Sequence, residues 1–187
     1  MARFILLCRP RLHPPLRDQE FAILILNLVG EQTMPKQISI RERLTADITP
    51  ELYNKIRHLW IKHSQAEDRR NVDGLIETLT EECVYEIIPT GERWEGHAGA
   101  REFYFTFLGA FPDVKFNLTD IVIGPQGAFE VADLVGMRKG VWAGIQPTGK
   151  QVNLKILIYF PWNPTKEKFD GEKVYFDRMA LVSQAQG

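Results

Sequence analysis

His63 is the side chain whose type and position best suit proton transfer. It lies, beside Trp60, on an apolar stripe that recurs at steps of three and four residues, which is typical of a helix with one buried face. The stripe consists of Leu52, Ile56, Leu59, His63 and Ala66. Because imidazole titrates near neutral pH, a buried histidine with partners can serve as a general acid or base. The alternative is a structural histidine that is satisfied within the core.

Tyr85 is the second candidate, because it lies on one face of a strand predicted from Cys83 to Ile88. Side chains alternate along a strand, so Tyr85 shares its face with Cys83 and Ile87. A hydroxyl that faces a pocket can orient a substrate carbonyl. The alternative is a packing tyrosine whose hydroxyl reaches the rim of the core.

Two acidic residues near the end of the chain, Glu172 and Asp177, are candidate partners for His63. Alternation along the last predicted strand places Asp177 with Lys173 and Tyr175 on one face, and Glu172 on the other. Only one of the two carboxylates can therefore face a pocket unless a bulge intervenes. We predict Asp177 as a catalytic residue that forms an acid–base pair with His63. The alternative is an ion pair between Asp177 and an arginine.

Aromatic side chains are concentrated where a pocket could form. A very aromatic helix is predicted from Arg101 to Phe111, and it would supply core and pocket wall. Concave, mostly apolar sites with a few polar groups are typical of small-molecule pockets. We predict that a small apolar molecule is bound here, in contact with Trp60, Trp94, Phe107, Trp142, Glu172 and Tyr175.

Composition and spacing argue against several other classes of function. The net charge of −1 gives no electrostatic reason to bind nucleic acid or a membrane surface, and the apolar run at 21–29 is too short to span a bilayer. The two cysteines make neither a disulfide framework nor a metal set, and no ligand spacing suits a metal. The glycines at 144 and 149 do not form a phosphate-binding loop. We therefore expect no cofactor or metal, and a reducing, cytoplasmic setting.

The elements that must position these residues are helices and strands in the first part of the chain and strands alone in the rest. A Thr-Pro-Glu sequence at 49–51 is a helix start, and this helix is expected to run to about position 68. A short helix at 75–80, the strand with Tyr85 and the aromatic helix follow. Four long strands complete the chain, at 114–123, 128–142, 150–162 and 172–181, with a polar loop at 163–171.

Short turns between the last strands favour antiparallel neighbours. The turn at 140–153 contains Pro147 and Gly149, which suit a tight reversal of the chain. Long strands twist and curl, and the helices have apolar faces to bury against one side of the sheet. We predict an α+β fold with a cone-like, curved antiparallel sheet packed on N-terminal helices. Residues 48–187 would form this domain. Residues 1–47 would be a poorly ordered extension, and Met34 is a candidate start of the native chain.

Six short segments carry a family resemblance: IIPTG at 87–91, WEG at 94–96, FY at 103–104, AFPD at 110–113, GIQPTGK at 144–150 and GEKVYFD at 171–177. They resemble SnoaL-like polyketide cyclases, over about Pro50 to Gln184. The resemblance implies the nuclear-transport-factor-two-like (cystatin-like) α+β barrel, a cone that is commonly dimeric through its sheet. We therefore expect a homodimer.

The reactions of this superfamily imply acid–base chemistry on a carbonyl compound. The cyclases close a ring by an aldol reaction that uses a histidine and an aspartate. The histidine would fall at 154–159, where this sequence has no histidine, and the aspartate would fall near 174–175, where it has no acidic residue. The catalytic base of ketosteroid isomerases would fall at position 87 or 88 of this sequence and their buried acid near position 157, and this sequence has neither acidic residue there. Their oxyanion-binding tyrosine would fall at His63. Two functions stay open: a cofactor-independent cyclase, isomerase or dehydratase, or a non-catalytic ligand-binding or interaction module.

Overall fold

The computed structural model describes residues 39–186, with side chains as far as position 184, so positions 1–38 of the extension predicted at 1–47 lie outside the described residues. None of the described helices is long and apolar enough to cross a membrane. The elements in chain order are α1 (Ile40–Leu44), α2 (Pro50–Asp68), α3 (Val72–Ile76), β1 (Leu79–Ile87), β2 (Glu92–Glu95), α4 (Gly96–Ala110), β3 (Lys115–Gly124), β4 (Gly127–Met137), β5 (Gln151–Asn163), β6 (Lys168–Phe176) and α5 (Arg178–Gln186).

Helix α2, which carries His63, begins and ends where the sequence predicts. The Thr49 hydroxyl caps it by accepting a hydrogen bond from the Leu52 amide at 3.2 Å, and a proline takes the first helical position. Ile56, His63 and Ala66 are buried on one face, as the apolar stripe predicts. This helix packs against α3 and against strands β3 and β4.

The six strands form one sheet in the order β2-β1-β6-β5-β4-β3. The predicted α+β fold is confirmed, and four of the five strand pairs are antiparallel. The fifth pair corrects the prediction, because β1 runs parallel to β6. Since α4 and four strands separate β1 from β6 in the chain, no hairpin fixes their relative direction. The parallel register places Tyr85 directly beside Glu172.

The end of the chain differs most from the prediction. Strand β6 occupies 168–176 rather than 172–181, so the predicted polar loop shrinks to 164–167, and an unpredicted helix, α5, follows. Asp177 explains this change, because its Oδ1 atom accepts hydrogen bonds from the amides of Met179 and Ala180 at 2.8 and 3.1 Å. A carboxylate that satisfies the first amides of a helix favours helix over strand.

Other boundaries are corrected as well. Helix α3 lies at 72–76 rather than 75–80, because the Asn71 side chain accepts a hydrogen bond from the Gly74 amide at 3.1 Å and starts the helix earlier. Strand β1 begins at Leu79 rather than Cys83, and α4 begins at Gly96 rather than Arg101. The short strand β2 was not predicted.

Residues 138–150 connect β4 to β5 as a loop, so β4 ends at Met137 rather than Trp142. The Arg138 amide donates to the Lys150 carbonyl, and the Gly149 amide donates to the Arg138 carbonyl, each at 3.0 Å. The φ of +68° at Gly149 confirms that a glycine is needed for this turn. Within the loop, Trp142 forms an isolated antiparallel bridge with Ile145.

Candidate functional site

Glu172 is the point at which several buried polar side chains converge. Burial alternates along β6, and Glu172 is buried while its neighbour Lys173 is exposed. Its Oε1 atom lies 2.9 Å from His63 Nε2 and accepts hydrogen bonds from the hydroxyls of Tyr104 at 2.6 Å and Tyr85 at 3.0 Å. His63 itself is only 1% exposed. Three side chains therefore meet at one carboxylate oxygen in a region closed to solvent.

Four elements position this group, which we call the Glu172 cluster (His63, Tyr85, Tyr104 and Glu172). Helix α2 supplies His63, α4 supplies Tyr104, and the parallel pair β1–β6 supplies the other two. The two tyrosine hydroxyls are 2.9 Å apart, and the Tyr104 hydroxyl is 3.0 Å from His63 Nε2. The cluster therefore ties both long helices to the sheet.

Thr78 fixes which nitrogen of His63 carries a proton. The Thr78 hydroxyl donates its single proton to the Leu75 carbonyl oxygen at 2.6 Å. It can then only accept from His63 Nδ1, which is 2.7 Å away, so Nδ1 bears a hydrogen. The contact between Nε2 and Glu172 holds a further proton, which gives an ion pair when it is on nitrogen and a neutral pair when it is on oxygen. His63 and Glu172 therefore share one proton through this contact.

Both tyrosines of the cluster are proton donors. Burial, followed by the negative charge of Glu172, raises the pKa of Tyr85 well above its usual range. The same two causes raise the pKa of Tyr104. Because the hydroxyls keep their protons at neutral pH, they can stabilise negative charge on an oxygen placed between them.

A second buried acid, Glu130, lies on the inner face of β4. Its Oε2 atom accepts a hydrogen bond from Trp60 Nε1 at 2.7 Å, which joins α2 to the sheet. Burial raises the pKa of Glu130 to about 7; the charge of Glu172 acts in the same direction, and the Trp60 hydrogen bond opposes it. Burial and the charges of Glu172 and Glu130 also raise the pKa of Glu67, one turn beyond His63 on α2. The interior beneath α2 is therefore acidic.

The raised pKa of Glu130 predicts a pH-dependent loss of stability. Between the ordinary value of 4.5 and about 7, the folded protein keeps a proton that the unfolded chain has released, so stability falls as pH rises through this window. Glu130→Gln removes this loss, because the amide oxygen still accepts from Trp60. Urea unfolding should show the variant more stable than the wild type at pH 8, by up to about 3 kcal/mol, and equal to it near pH 4. A stability difference that does not change with pH would contradict the assignment.

A pocket of about 230 Å³ adjoins the cluster. Its wall is mostly apolar and aromatic, with the side chains of Glu92 and Thr106 as polar groups, and residues of the 138–150 loop form one side. The residues that line it are Ile87, Glu92, Trp94, Phe103, Thr106, Val141, Trp142, Ala143 and Gly144. An aromatic pocket of this size suits a small apolar molecule.

Phe103 contacts both the pocket and the Glu172 cluster. Its ring lines the pocket, and its centroid is 4.8 Å from that of Tyr85 and 5.4 Å from that of Tyr104. On its other side, Phe103 meets Trp94 edge-on at 5.3 Å. Phe103 is thus a direct contact between the pocket and the polar cluster.

The family model for SnoaL-like polyketide cyclases matches residues 53–185 of the chain. This chain belongs to the SnoaL-like polyketide cyclase family. No match was found among curated proteins.

Solved structures share the fold at low sequence identity. One is a candidate SnoaL-like polyketide cyclase from Jannaschia sp. CCS1, with a TM-score of 0.64 and 17% identity over 76% of this chain and 98% of that one. Another is AclR, a candidate hydroxylase from Streptomyces galilaeus, with a TM-score of 0.58 and 18% identity over 72% and 98%. A third is SalBIII, an epoxide hydrolase/cyclase-like enzyme of pyran ring formation in salinomycin, with a TM-score of 0.56 and 18% identity over 68% and 94%.

Five of the predicted site residues of this SnoaL-like protein fall into two groups. His63, Tyr85 and Glu172 meet in the cluster, and Trp94 and Trp142 line the pocket. Phe103 contacts residues of both groups.

Four other predicted residues lie outside both groups. Trp60 binds Glu130 instead, and Phe107 packs behind the pocket wall with its ring 5.5 Å from Trp142. Tyr175 is 37% exposed on the opposite face of the sheet. Asp177 caps α5 and is exposed, so it does not pair with His63. Of the two candidate acids, Glu172 is therefore the one whose side chain is buried and meets His63.

Sequence reasoning missed Tyr104, Thr78 and Glu130. Tyr104 lies in the aromatic run of α4, where it was grouped with the phenylalanines as core. A signal for Glu130 was present, because strand alternation places it on the buried face between Ala128 and Ala132. Within residues 39–186, no group of histidine, cysteine or acidic side chains is arranged to hold a metal ion.

Proposed function

We propose that this SnoaL-like protein is a cofactor-independent enzyme that transfers a proton on an apolar, carbonyl-bearing small molecule. The observation that carries the proposal is the convergence of His63, Tyr85 and Tyr104 on one oxygen of Glu172. Two hydroxyl donors beside a base–acid pair are the groups that enolisation of a ketone requires. The aromatic pocket beside them supplies a place for the apolar part of the substrate.

In the proposed reaction, the substrate carbonyl oxygen takes the hydrogen bonds that Tyr85 and Tyr104 now give to Glu172. The freed carboxylate, with His63 behind it, accepts a proton from the carbon next to the carbonyl. The electron pair of the broken C–H bond forms an enolate, whose oxygen is held by the two hydroxyls. Return of the proton to the same or another carbon completes an exchange or an isomerisation, and attack of the enolate on a second carbonyl would close a ring.

We expect the Phe103 ring to turn aside in this reaction, because it lines the pocket and packs against the rings of Tyr85 and Tyr104. The same observation favours a second candidate function, a ligand-binding module that holds its ligand between Trp94 and Trp142 without chemistry. In that case the Glu172 cluster would serve only to join the helices to the sheet.

Deuterium exchange distinguishes the two candidates. The bicyclic ketone 2-tetralone is incubated with the protein in D2O, and loss of its α-proton signals is followed by NMR, while quenching of tryptophan fluorescence reports binding. Exchange faster than in buffer supports the enzyme. Binding without any acceleration of exchange supports the module and contradicts the enzyme.

We also propose a homodimer formed through the outer face of the sheet. Neighbouring strands place apolar side chains in rows on this face, and Val122 there is 67% exposed. One row consists of Val122, Phe129 and Tyr159, and the other of Val131, Leu157 and Tyr175.

Sedimentation velocity at micromolar concentration should give a dimer, and Val122→Lys should shift it to the monomer. The control, Asn54→Lys on exposed α2 surface, should stay dimeric. A wild-type monomer would contradict this proposal.

A further inference from the structure

Arg138 is a buried charge that the proposed reaction does not use. Its side chain is 0% exposed at the end of β4. Its Nη2 atom donates to the carbonyl oxygen of Gln146, but Nε and Nη1 have no hydrogen-bond partner among the described residues. Buried guanidinium groups are normally paired through several of their five donors. Arg138 therefore has two nitrogens whose hydrogens are unused.

No carboxylate compensates this charge in the part of the chain that the structure describes, since none of its ion pairs includes Arg138. Burial lowers the pKa of the guanidinium, yet arginine stays protonated in proteins. The group thus remains a cation with free donors. An anion with two oxygens is the partner that such a group binds best.

The position of Arg138 connects it to the pocket. Its backbone closes the 138–150 loop through bonds with Lys150 and Gly149. Its side chain holds Gln146 of the same loop, and residues 141–144 of that loop form a wall of the pocket. The same loop contains a strained residue, Ala143, which lines the pocket and has a φ of +50°. Arg138 and this wall thus belong to one loop, and only a shift of that loop would let the guanidinium reach the pocket, which it does not line in this structure.

We propose that Arg138 binds a carboxylate group of the ligand in this pocket, so that the ligand is an aromatic or apolar carbonyl compound that is also an acid. This inference rests on the proposed function for the pocket. The free Nε and Nη1 donors take the carboxylate oxygens, while Nη2 keeps its bond to Gln146. The aromatic wall then holds the apolar part, with the ketone directed towards Phe103 and the tyrosines behind it.

Calorimetric titration with a matched pair of probes tests the inference. The acid 4-oxo-4-phenylbutanoate and its neutral amide have nearly the same shape, and they differ in charge. Wild type should bind the acid about tenfold or more tightly, as expected for a charge-assisted pair. Arg138→Met should remove this preference and keep the affinity for the amide. Arg178→Met is the matched control, because Arg178 is an exposed arginine close to Gly144 at the pocket wall, and its loss should leave the preference unchanged.

Three results would overturn the inference: equal affinities of wild type for acid and amide, a preference that persists in Arg138→Met, or a preference that disappears in Arg178→Met. If Arg138→Met does not fold, the Nε–H resonance of Arg138 in the wild type provides the test. That resonance should shift with the acid and not with the amide, and an unmoved resonance refutes binding at Arg138. Exchange of the neutral 2-tetralone reports separately on the proposed function.

Discussion

Replacing Glu172 with alanine is expected to lower the free energy of unfolding by about 3–5 kcal/mol. The substitution removes the oxygen on which His63, Tyr85 and Tyr104 converge, and it leaves these three buried groups with only the contacts that they make with one another. Because no solvent reaches these groups, water cannot replace the carboxylate without opening the core. Urea unfolding followed by tryptophan fluorescence measures the loss.

Two variants of the same strand serve as controls. Glu172→Gln should cost less than Glu172→Ala, because the amide oxygen can still accept from the tyrosine hydroxyls. Lys173→Ala removes an exposed neighbour and should change stability by no more than about 0.5 kcal/mol. If Glu172→Ala lost less than about 1 kcal/mol, the cluster would not be the buried junction described here.

Replacing His63 with glutamine is expected to lower the rate of 2-tetralone exchange by about 10²- to 10⁴-fold, which is the usual contribution of a general acid–base residue. The amide can hydrogen-bond to Glu172, so the cluster keeps its shape, but it cannot hold the proton that His63 shares with Glu172. Fluorescence quenching should show 2-tetralone still bound, since the pocket wall is unchanged. The rate is measured by NMR in D2O, as for the wild type.

The matched control for this effect is His97→Gln. His97 is half-buried outside the cluster, with its Nε2 atom 3.3 Å from the Leu79 carbonyl oxygen. Its replacement should leave the exchange rate within a factor of about two, because it touches neither the cluster nor the pocket. A His63→Gln protein that exchanged 2-tetralone as fast as the wild type would remove His63 from the mechanism.

Local patterns in the sequence predicted much of the frame. The capping threonine and the helical period placed His63 on the buried face of α2, and strand alternation placed Tyr85 on the buried face of β1. These features depend on neighbours within a few residues, which a sequence displays directly. The family segments then indicated the cone-like α+β fold.

The choice between Glu172 and Asp177 depended on contacts that a sequence does not display. Glu172 meets Tyr85 because β1 and β6 pair in parallel, although 87 positions separate the two residues in the chain. Asp177 was expected to continue a strand, but its side chain caps α5 instead. Tyr104 was missed because its hydroxyl gains a role only from partners on three other elements.

A crystal structure of the protein with 2-tetralone bound tests the proposed chemistry most directly. We expect the Phe103 ring to have turned aside and the ketone oxygen to lie within about 3 Å of the hydroxyl of Tyr85 or Tyr104. The α-carbon should then face the carboxylate of Glu172. A ketone seated between Trp94 and Trp142, with Phe103 unmoved and both hydroxyls still bound to Glu172, would contradict proton transfer at this site.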